Sequence, residues 1–238
     1  MNGKTVVITG GSEGLGKAVA RKLVAEGAAV ILIAQNPQTL AKTASDIAGN
    51  VSVYACDISS PKDVRDLVAV IITEHPRIDV LINCAGIWTD EELEKEDPDR
   101  RKKVLEVNTL GTIEVTKAFE PLLVRQNTGH ILNVISTSGN SDTSSGDNTL
   151  WQTYGASKWA IAGFTRALKD SLNGTGVRVT GFYPGGFESS LYENAKKTDA
   201  HNQPWMMETD DVADTLIFCL TRPADVLIEK MVITKYQA

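Results

Sequence analysis

TVVITGGSEGLG, residues 5–16, passes from a short apolar run into a glycine-rich turn and then into helical sequence. TVVIT is rich in β-branched residues and reads as a buried strand. Gly10, Gly14 and Gly16 give the pattern TGxxxGxG. Glycine permits a tight turn and a close approach of backbone to a ligand. The N-terminus of the next helix then offers unpaired N–H groups that suit a pyrophosphate. Strand, glycine turn and helix in that order form the opening of a dinucleotide-binding βαβ unit. Ser12, Glu13 and Leu15 complete the loop and join the candidate site.

Moving outward, six more apolar runs read as strands: 29–34, 51–55, 79–83, 130–136, 177–183 and 230–234. They are continuous rather than alternating, as in a parallel sheet covered on both faces. Helix-length segments lie between them at 14–26, 38–48, 61–74, roughly 100–127, 153–172 and 209–221. Ser60-Pro61 is a helix start, and Gly27 a helix stop. The alternation predicts an α/β fold: a single-domain, Rossmann-like, doubly wound parallel sheet flanked by helices, spanning 1–238. Two stretches break the rhythm, 137–150 and 188–207, and loops of that length inside a domain are commonly functional or disordered.

The bulk numbers bound the function. With 238 residues, 42% hydrophobic and 23% charged, the chain has the profile of an ordinary globular protein. A net charge of −6 argues against a general nucleic-acid or anionic-membrane binder. No apolar run approaches the ~20 residues of a bilayer span, and MNGKTVVITGG has no signal-peptide layout. The scattered cysteines Cys56, Cys84 and Cys219 fit a reducing cytoplasm. The histidines His75, His130 and His201 are equally dispersed, so no metal site is expected.

The ligand of such a sheet lies at the carboxyl ends of the strands. At the end of the second strand stand Ala34, Gln35 and Asn36, with no carboxylate for a ribose 2′-hydroxyl. A small residue there leaves room for a 2′-phosphate, which favours NADP, with NAD as the alternative. The supporting arginine is absent, and Glu13 has the wrong sign for a phosphate neighbour, so Ser12, Gln35 and Asn36 are left as neutral donors. Asp57, after the third strand, is placed to accept from an adenine amino group; a bland reading makes it a turn aspartate. Asn83, Ala85 and Gly86, after the fourth, are candidates to line the ribose crevice.

In TYGASK, 153–158, Tyr154 and Lys158 are four apart, so on a helix they share a face at about 5–6 Å between Cβ atoms. A cation beside a phenol favours the phenolate and makes tyrosine a usable acid or base. Gly155 and Ala156 keep the turn thin, as if for a cofactor to lie against it.

Together these residues resemble the short-chain dehydrogenase/reductase family, almost end to end. The resemblance rests on TGGSEGLG, CDI (56–58), NCAG (83–86) as a variant of the family's NNAG, VNTLG (107–111), NVIS (133–136), YGASK (154–158) and PGGFES (184–189). It implies an oxidoreductase that moves a hydride between a nicotinamide cofactor and a carbonyl or secondary alcohol. It implies a triad of Ser136, Tyr154 and Lys158, with Asn108 as fourth member holding a water in a proton relay. Ser136 is preferred to Ser138 because it lies three after Asn133 at a strand end. By the same resemblance Cys56, Asp57 and Ile58 face the cofactor, and Pro184, Gly185, Phe187 and Ser189 pack on the nicotinamide.

The resemblance frays in places. Ser136 and Tyr154 are 18 positions apart, several more than is usual, so 137–150 carries an insertion, with Leu150 and Trp151 as expected pocket walls and a surface excursion as the bland alternative. The segment 188–207 corresponds to the family's variable substrate lid. Tyr192, Trp205, Met206 and Met207 there favour an apolar or aromatic small-molecule substrate, with a subunit contact as the equal alternative for such a patch. Helices 100–127 and 153–172 are, by analogy, where a homo-oligomer (dimer or tetramer) would form. The competing reading is a non-catalytic NAD(P)-binding sensor or scaffold, against which the presence of both Tyr154 and Lys158 counts. A longer isomerase or dehydratase, and an enoyl reductase with wider Tyr–Lys spacing, fit less well.

Overall fold

The computed structural model describes residues 1–89, 97–140, 152–194 and 201–236. Strands β1 (Thr5–Thr9), β2 (Ala29–Ala34), β3 (Val51–Ala55), β4 (Val80–Asn83), β5 (Gly129–Val134), β6 (Val177–Pro184) and β7 (Lys230–Ile233) form one sheet. Its order is β3-β2-β1-β4-β5-β6-β7, and each neighbouring pair is parallel. The chain winds outward from β1 to β3, then crosses back to lay β4 on the other side of β1. That reversal opens a crevice at the carboxyl ends of β1 and β4.

Both faces of the sheet are covered, which is why its strands are apolar throughout. Side chains alternate along β1. Val6 and Ile8 join one core with Val19 and Leu23 of α1 (Gly14–Ala25) and Val212 and Leu216 of α8 (Thr209–Leu220). Val7 joins the other with Val68 and Ile71 of α3 (Pro61–Glu74) and Phe119 and Leu123 of α5 (Thr112–Gln126). Phe119 and Ile71 are fully buried, each contributing about 1.5–3 kcal/mol by removal from water.

Helix ends follow the local chemistry. Ser60 caps α3 by accepting from Asp63 N at 3.4 Å, with Pro61 in the first turn. Gly27, at φ +85°, ends α1. Asn36 caps α2 (Pro37–Ile47), its Oδ1 accepting from Gln38 N and Thr39 N. The helix expected at 100–127 is α4 (Pro98–Leu105), a π-helical stretch (Glu106–Gly111) and α5 in succession. Such π turns are uncommon and are often found at functional sites. The last helices are α6 (Gln152–Ser171) and the short α7 (Leu191–Asn194), the latter inside the stretch where sequence shows no periodicity.

β5 stops at Val134, two residues earlier than expected. Ile135 N still donates to Phe182 O at 2.7 Å, after which Ser136 Oγ accepts from Ser138 N and turns the chain into a 3-10 turn, Thr137–Gly139. Among the described residues, no helix is long and apolar enough to cross a membrane, and no three His, Cys, Asp or Glu side chains group so as to hold a metal ion.

Candidate active site

A cavity of about 610 Å³ opens at the carboxyl ends of the strands. Gly10, at φ +67°, begins its floor; a Cβ there would stand 2.7 Å from Ala85 Cα. A Cβ on Gly16 would stand 2.2 Å from Gly10 O. Thr9 Oγ1 binds the two strand ends together by accepting from Cys84 N at 3.1 Å and Ala85 N at 3.2 Å. The first turn of α1 has no side-chain cap, so its N–H groups are open to an anion. Bare glycines and uncapped amides at this turn fit a dinucleotide pyrophosphate. Ser12, Glu13, Gly14 and Leu15 also line the cavity.

α6 supplies the next wall. Tyr154 is 8% exposed and Lys158 6%. Lys158 Nζ lies 5.5 Å from the Tyr154 ring centre and donates to Val134 O at 3.3 Å. Burial pulls the Lys158 ammonium down to about 8. Burial also raises the Tyr154 phenol well above its ordinary value, opposed by a side-chain hydrogen bond with Ser136. The lowering expected from Lys158 is not what opposes burial here; the Ser136 hydrogen bond is, and the phenol is held protonated. Gly155 and Ala156 do not line the cavity. A Cβ on Gly155 would instead meet Ser138 O at 3.8 Å, so the thin turn receives the 3-10 turn and not a ligand.

Asn108 sits in the π-helical stretch and stands behind the wall, not on it. Its Oδ1 accepts from Ile87 N at 2.8 Å, and its Nδ2 donates to Ile87 O at 2.9 Å and Ser157 Oγ at 3.1 Å. Both its amide hydrogens are engaged, so the side chain clamps the loop after β4 to α6. Asn83 is a correction. It is 3% exposed, outside the cavity lining, and its Nδ2 donates to Thr116 Oγ1 at 2.9 Å and Asn133 Oδ1 at 2.8 Å. Strand alternation turns it toward α5, while Cys84, Ala85 and Gly86 pass along the cavity.

At the ends of β2 and β3, Gln35, Asn36, Cys56, Asp57 and Ile58 all line the cavity. Asp57 Oδ1 accepts from Ser59 N at 2.9 Å and Ser59 Oγ at 2.6 Å. Its Oδ2 accepts from Gln35 Nε2 at 3.0 Å and Lys103 Nζ at 2.9 Å. Partial burial pushes this carboxyl up, but the bonds from Ser59 and Lys103 outweigh it and hold the group below the ordinary range. Arg100 and Lys103 of α4, both on the lining, were missed by sequence reasoning. They stand in DRRKKV, where four consecutive cations read as a solvated face; only the i, i+3 phase of the helix selects these two.

The fourth wall is the segment after β6. Pro184, Gly185, Phe187 and Ser189 line the cavity. Met207 N donates to Gly186 O at 3.0 Å and Glu188 N to Met207 O at 3.0 Å, joining the segment's two halves. His201 adds a second tie, meeting Glu188 through Nδ1 and lying 3.2 Å from Glu193 through Nε2. Tyr192 of α7 packs edge-on against Trp88 at 5.2 Å and Trp205 at 6.4 Å. Trp88, Tyr154, Tyr192 and Met206 form one apolar cluster. Of the four lid residues expected at a substrate, only Tyr192 reaches the lining; Met207 belongs to the main core, and Trp205 covers Gly186. Trp88, missed from sequence because it lies in an irregular stretch, takes their place. Leu150, Trp151 and most of the 137–150 insertion lie outside the described residues.

Similar proteins are known. An uncharacterized oxidoreductase of Staphylococcus epidermidis is 31% identical over 230 residues, covering 97% of this chain and 96% of that one. An alcohol dehydrogenase from the archaeon Thermococcus sibiricus, solved in complex with 5-hydroxy-NADP, superposes with a TM-score of 0.86 at 26% identity, covering 97% and 96% of the two chains. The closed form of a serine dehydrogenase complexed with NADP+ gives a TM-score of 0.88 at 25% identity over 97% and 94%. The family profile for short chain dehydrogenases matches residues 4–200. With its glycine turn, its sheet order and its paired Tyr154 and Lys158 all in one cavity, this chain belongs to the short-chain dehydrogenase/reductase family of oxidoreductases.

Proposed function

We propose that this chain is an NADP-dependent oxidoreductase acting on a carbonyl or secondary alcohol, with Tyr154 as its general acid/base. The observation that carries the reading is the buried Tyr154, hydrogen-bonded to Ser136 and beside Lys158, in the cavity that begins at the glycine turn. When bound, the cofactor supplies or accepts the hydride. The glycine turn and the uncapped start of α1 would hold its pyrophosphate; Ala85 and Gly86 would border its ribose; Pro184, Gly185, Phe187 and Ser189 would flank its nicotinamide.

Ser136 fixes the substrate oxygen by a hydrogen bond. Tyr154 passes its proton to that oxygen in reduction and takes it back in oxidation. Lys158 stabilises the phenolate left behind and holds ribose hydroxyls. Asn108 is a positioning residue, bracing Ile87 and Ser157 around Lys158. Trp88 and Tyr192 favour an apolar or aromatic small molecule and keep water from Tyr154. The whole chain acts as one domain. The exposed Leu110 (55%), Val124 (36%) and Trp159 (50%), on the helical run into α5 and on α6, support a homo-oligomer through those helices. The three unpaired cysteines support a cytoplasmic setting.

The test is a dinucleotide titration followed by a screen of aryl and alkyl ketones, with wild type and Tyr154→Phe side by side. Wild-type turnover lost in the variant, with NADPH binding kept, supports the reading. Equal turnover in both refutes Tyr154. A wild type that binds NADPH but turns over nothing, like its variant, is the outcome expected of a sensor or scaffold.

A further inference from the structure

The ribose corner contains a cation that its local sequence conceals. Lys103 arrives from α4, 46 residues after Asp57, and its Nζ donates to Asp57 Oδ2 at 2.9 Å and to Ser59 Oγ at 2.7 Å. Gln35 Nε2 donates to the same Oδ2 at 3.0 Å. The ammonium and the amide that follows β2 therefore meet at one oxygen atom. Asp57 now has two donors on each oxygen, which fills the roughly four acceptor sites of a carboxylate. An adenine amino group can bond Asp57 only if one of these donors leaves.

Glu13, whose charge opposes a phosphate, is turned toward the lid, where Asn194 Nδ2 donates to its Oε1 at 3.1 Å. Lys103 is 39% exposed on its side chain, so it can change partners without moving the backbone.

We propose that Lys103, with Gln35, selects the 2′-phosphate of NADP by a handover. On this basis, which rests on the dinucleotide reading above, the phosphate takes Lys103 Nζ and Gln35 Nε2 from Asp57, and the vacated Oδ2 accepts from the adenine amino group. A dinucleotide with a bare 2′-hydroxyl offers no anion to draw Lys103 away. Its adenine then competes with an ion pair that is already made. Selectivity thus arises in a corner with no arginine, through a lysine on a distant helix. Lys103 bonds the phosphate and never approaches the reacting atoms.

The experiment is a tryptophan-fluorescence titration of wild type, Lys103→Met and Lys103→Arg with NADPH and, separately, NADH, with melting temperatures measured in parallel. The expected result is an NADPH Kd raised roughly tenfold in Lys103→Met, an NADH Kd unchanged or lowered as Asp57 Oδ2 is freed for adenine, and recovery in Lys103→Arg. Should Lys103→Met fail to fold, Gln35→Leu keeps the lysine and is expected to show a smaller loss confined to NADPH. Equal loss of both dinucleotides would mean that Lys103 only steadies Asp57, and overturns the proposal. Unchanged NADPH binding, or a wild type that prefers NADH, overturns it as well. A wild type that binds neither dinucleotide refutes the dinucleotide reading, and the handover falls with it.

Discussion

Lys158 and Lys103 line the same cavity in opposite surroundings. Lys158 is 6% exposed, sits over a tyrosine ring, and donates to the backbone carbonyl of Val134. Lys103 is partly in water and paired with a carboxylate. Burial weakens the hold of Lys158 on its proton, bringing its titration down to about 8. At the other end of the cavity the carboxylate of Asp57 compensates the charge of Lys103. In the roles proposed above, the dry lysine serves a neighbouring phenol and the wet, paired lysine exchanges one anion for another. The same residue type is thus proposed for proton chemistry and for anion choice, according to the water around it.

The largest effect that could break this contrast is at the dry end. Tyr154→Phe is expected to lower turnover by at least about 10²–10⁴-fold, with NADPH Kd within about twofold, as read by steady-state kinetics and fluorescence titration. Near-normal turnover would remove the proton-transfer role.

Next comes Lys158→Met. The folded pKa of Lys158 lies below its unfolded value of 10.5, so between pH 8 and 10.5 the unfolded chain binds more protons than the folded one. Lys158 therefore makes stability rise with pH across that window, by on the order of 2–3 kcal/mol. Urea unfolding at several pH values should show wild type gaining on Lys158→Met over that range. Parallel curves would mean that Lys158 is not dry.

Trp88→Ala sharpens the same point. It lets water to the Tyr154–Lys158 pair, so the pH-linked gain should shrink while a cavity cost of about 3–5 kcal/mol appears in the same unfolding curves. The smallest effect belongs to the wet end. Glu13→Gln removes one exposed negative charge and should tighten NADPH about two- to threefold, with less change for NADH, in titrations at low salt. Equal gains for both dinucleotides would place Glu13 near the pyrophosphate instead of the 2′-phosphate.

How much of this was legible beforehand depended on where the information lay. The strands were readable because residues such as Val6, Val7 and Ile8 are apolar on both faces, and because Gly10 and Gly16 stand at contacts that no side chain could enter. Strand ends shifted by a residue or two, as at β5, where the Ser136 cap competes with the ladder. Asn83 was misplaced because a motif gives a position but not the direction of a side chain. The alternation of β4 sends it to Thr116. Asn36 lines the cavity as expected, but its Oδ1 caps α2, a local use that leaves its Nδ2 for a ligand.

By itself the sequence determined the order of strands and helices, the glycine turn and the Tyr154–Lys158 spacing. Each depends on residues close together in the chain, where periodicity and backbone freedom act. Tertiary structure alone decided that Lys103 reaches Asp57, that Trp88 and not Met207 faces the cavity, and that burial raises Tyr154 against its hydrogen bond with Ser136. Those outcomes depend on desolvation and on groups distant in sequence, and both exist only once the helices have packed on the sheet.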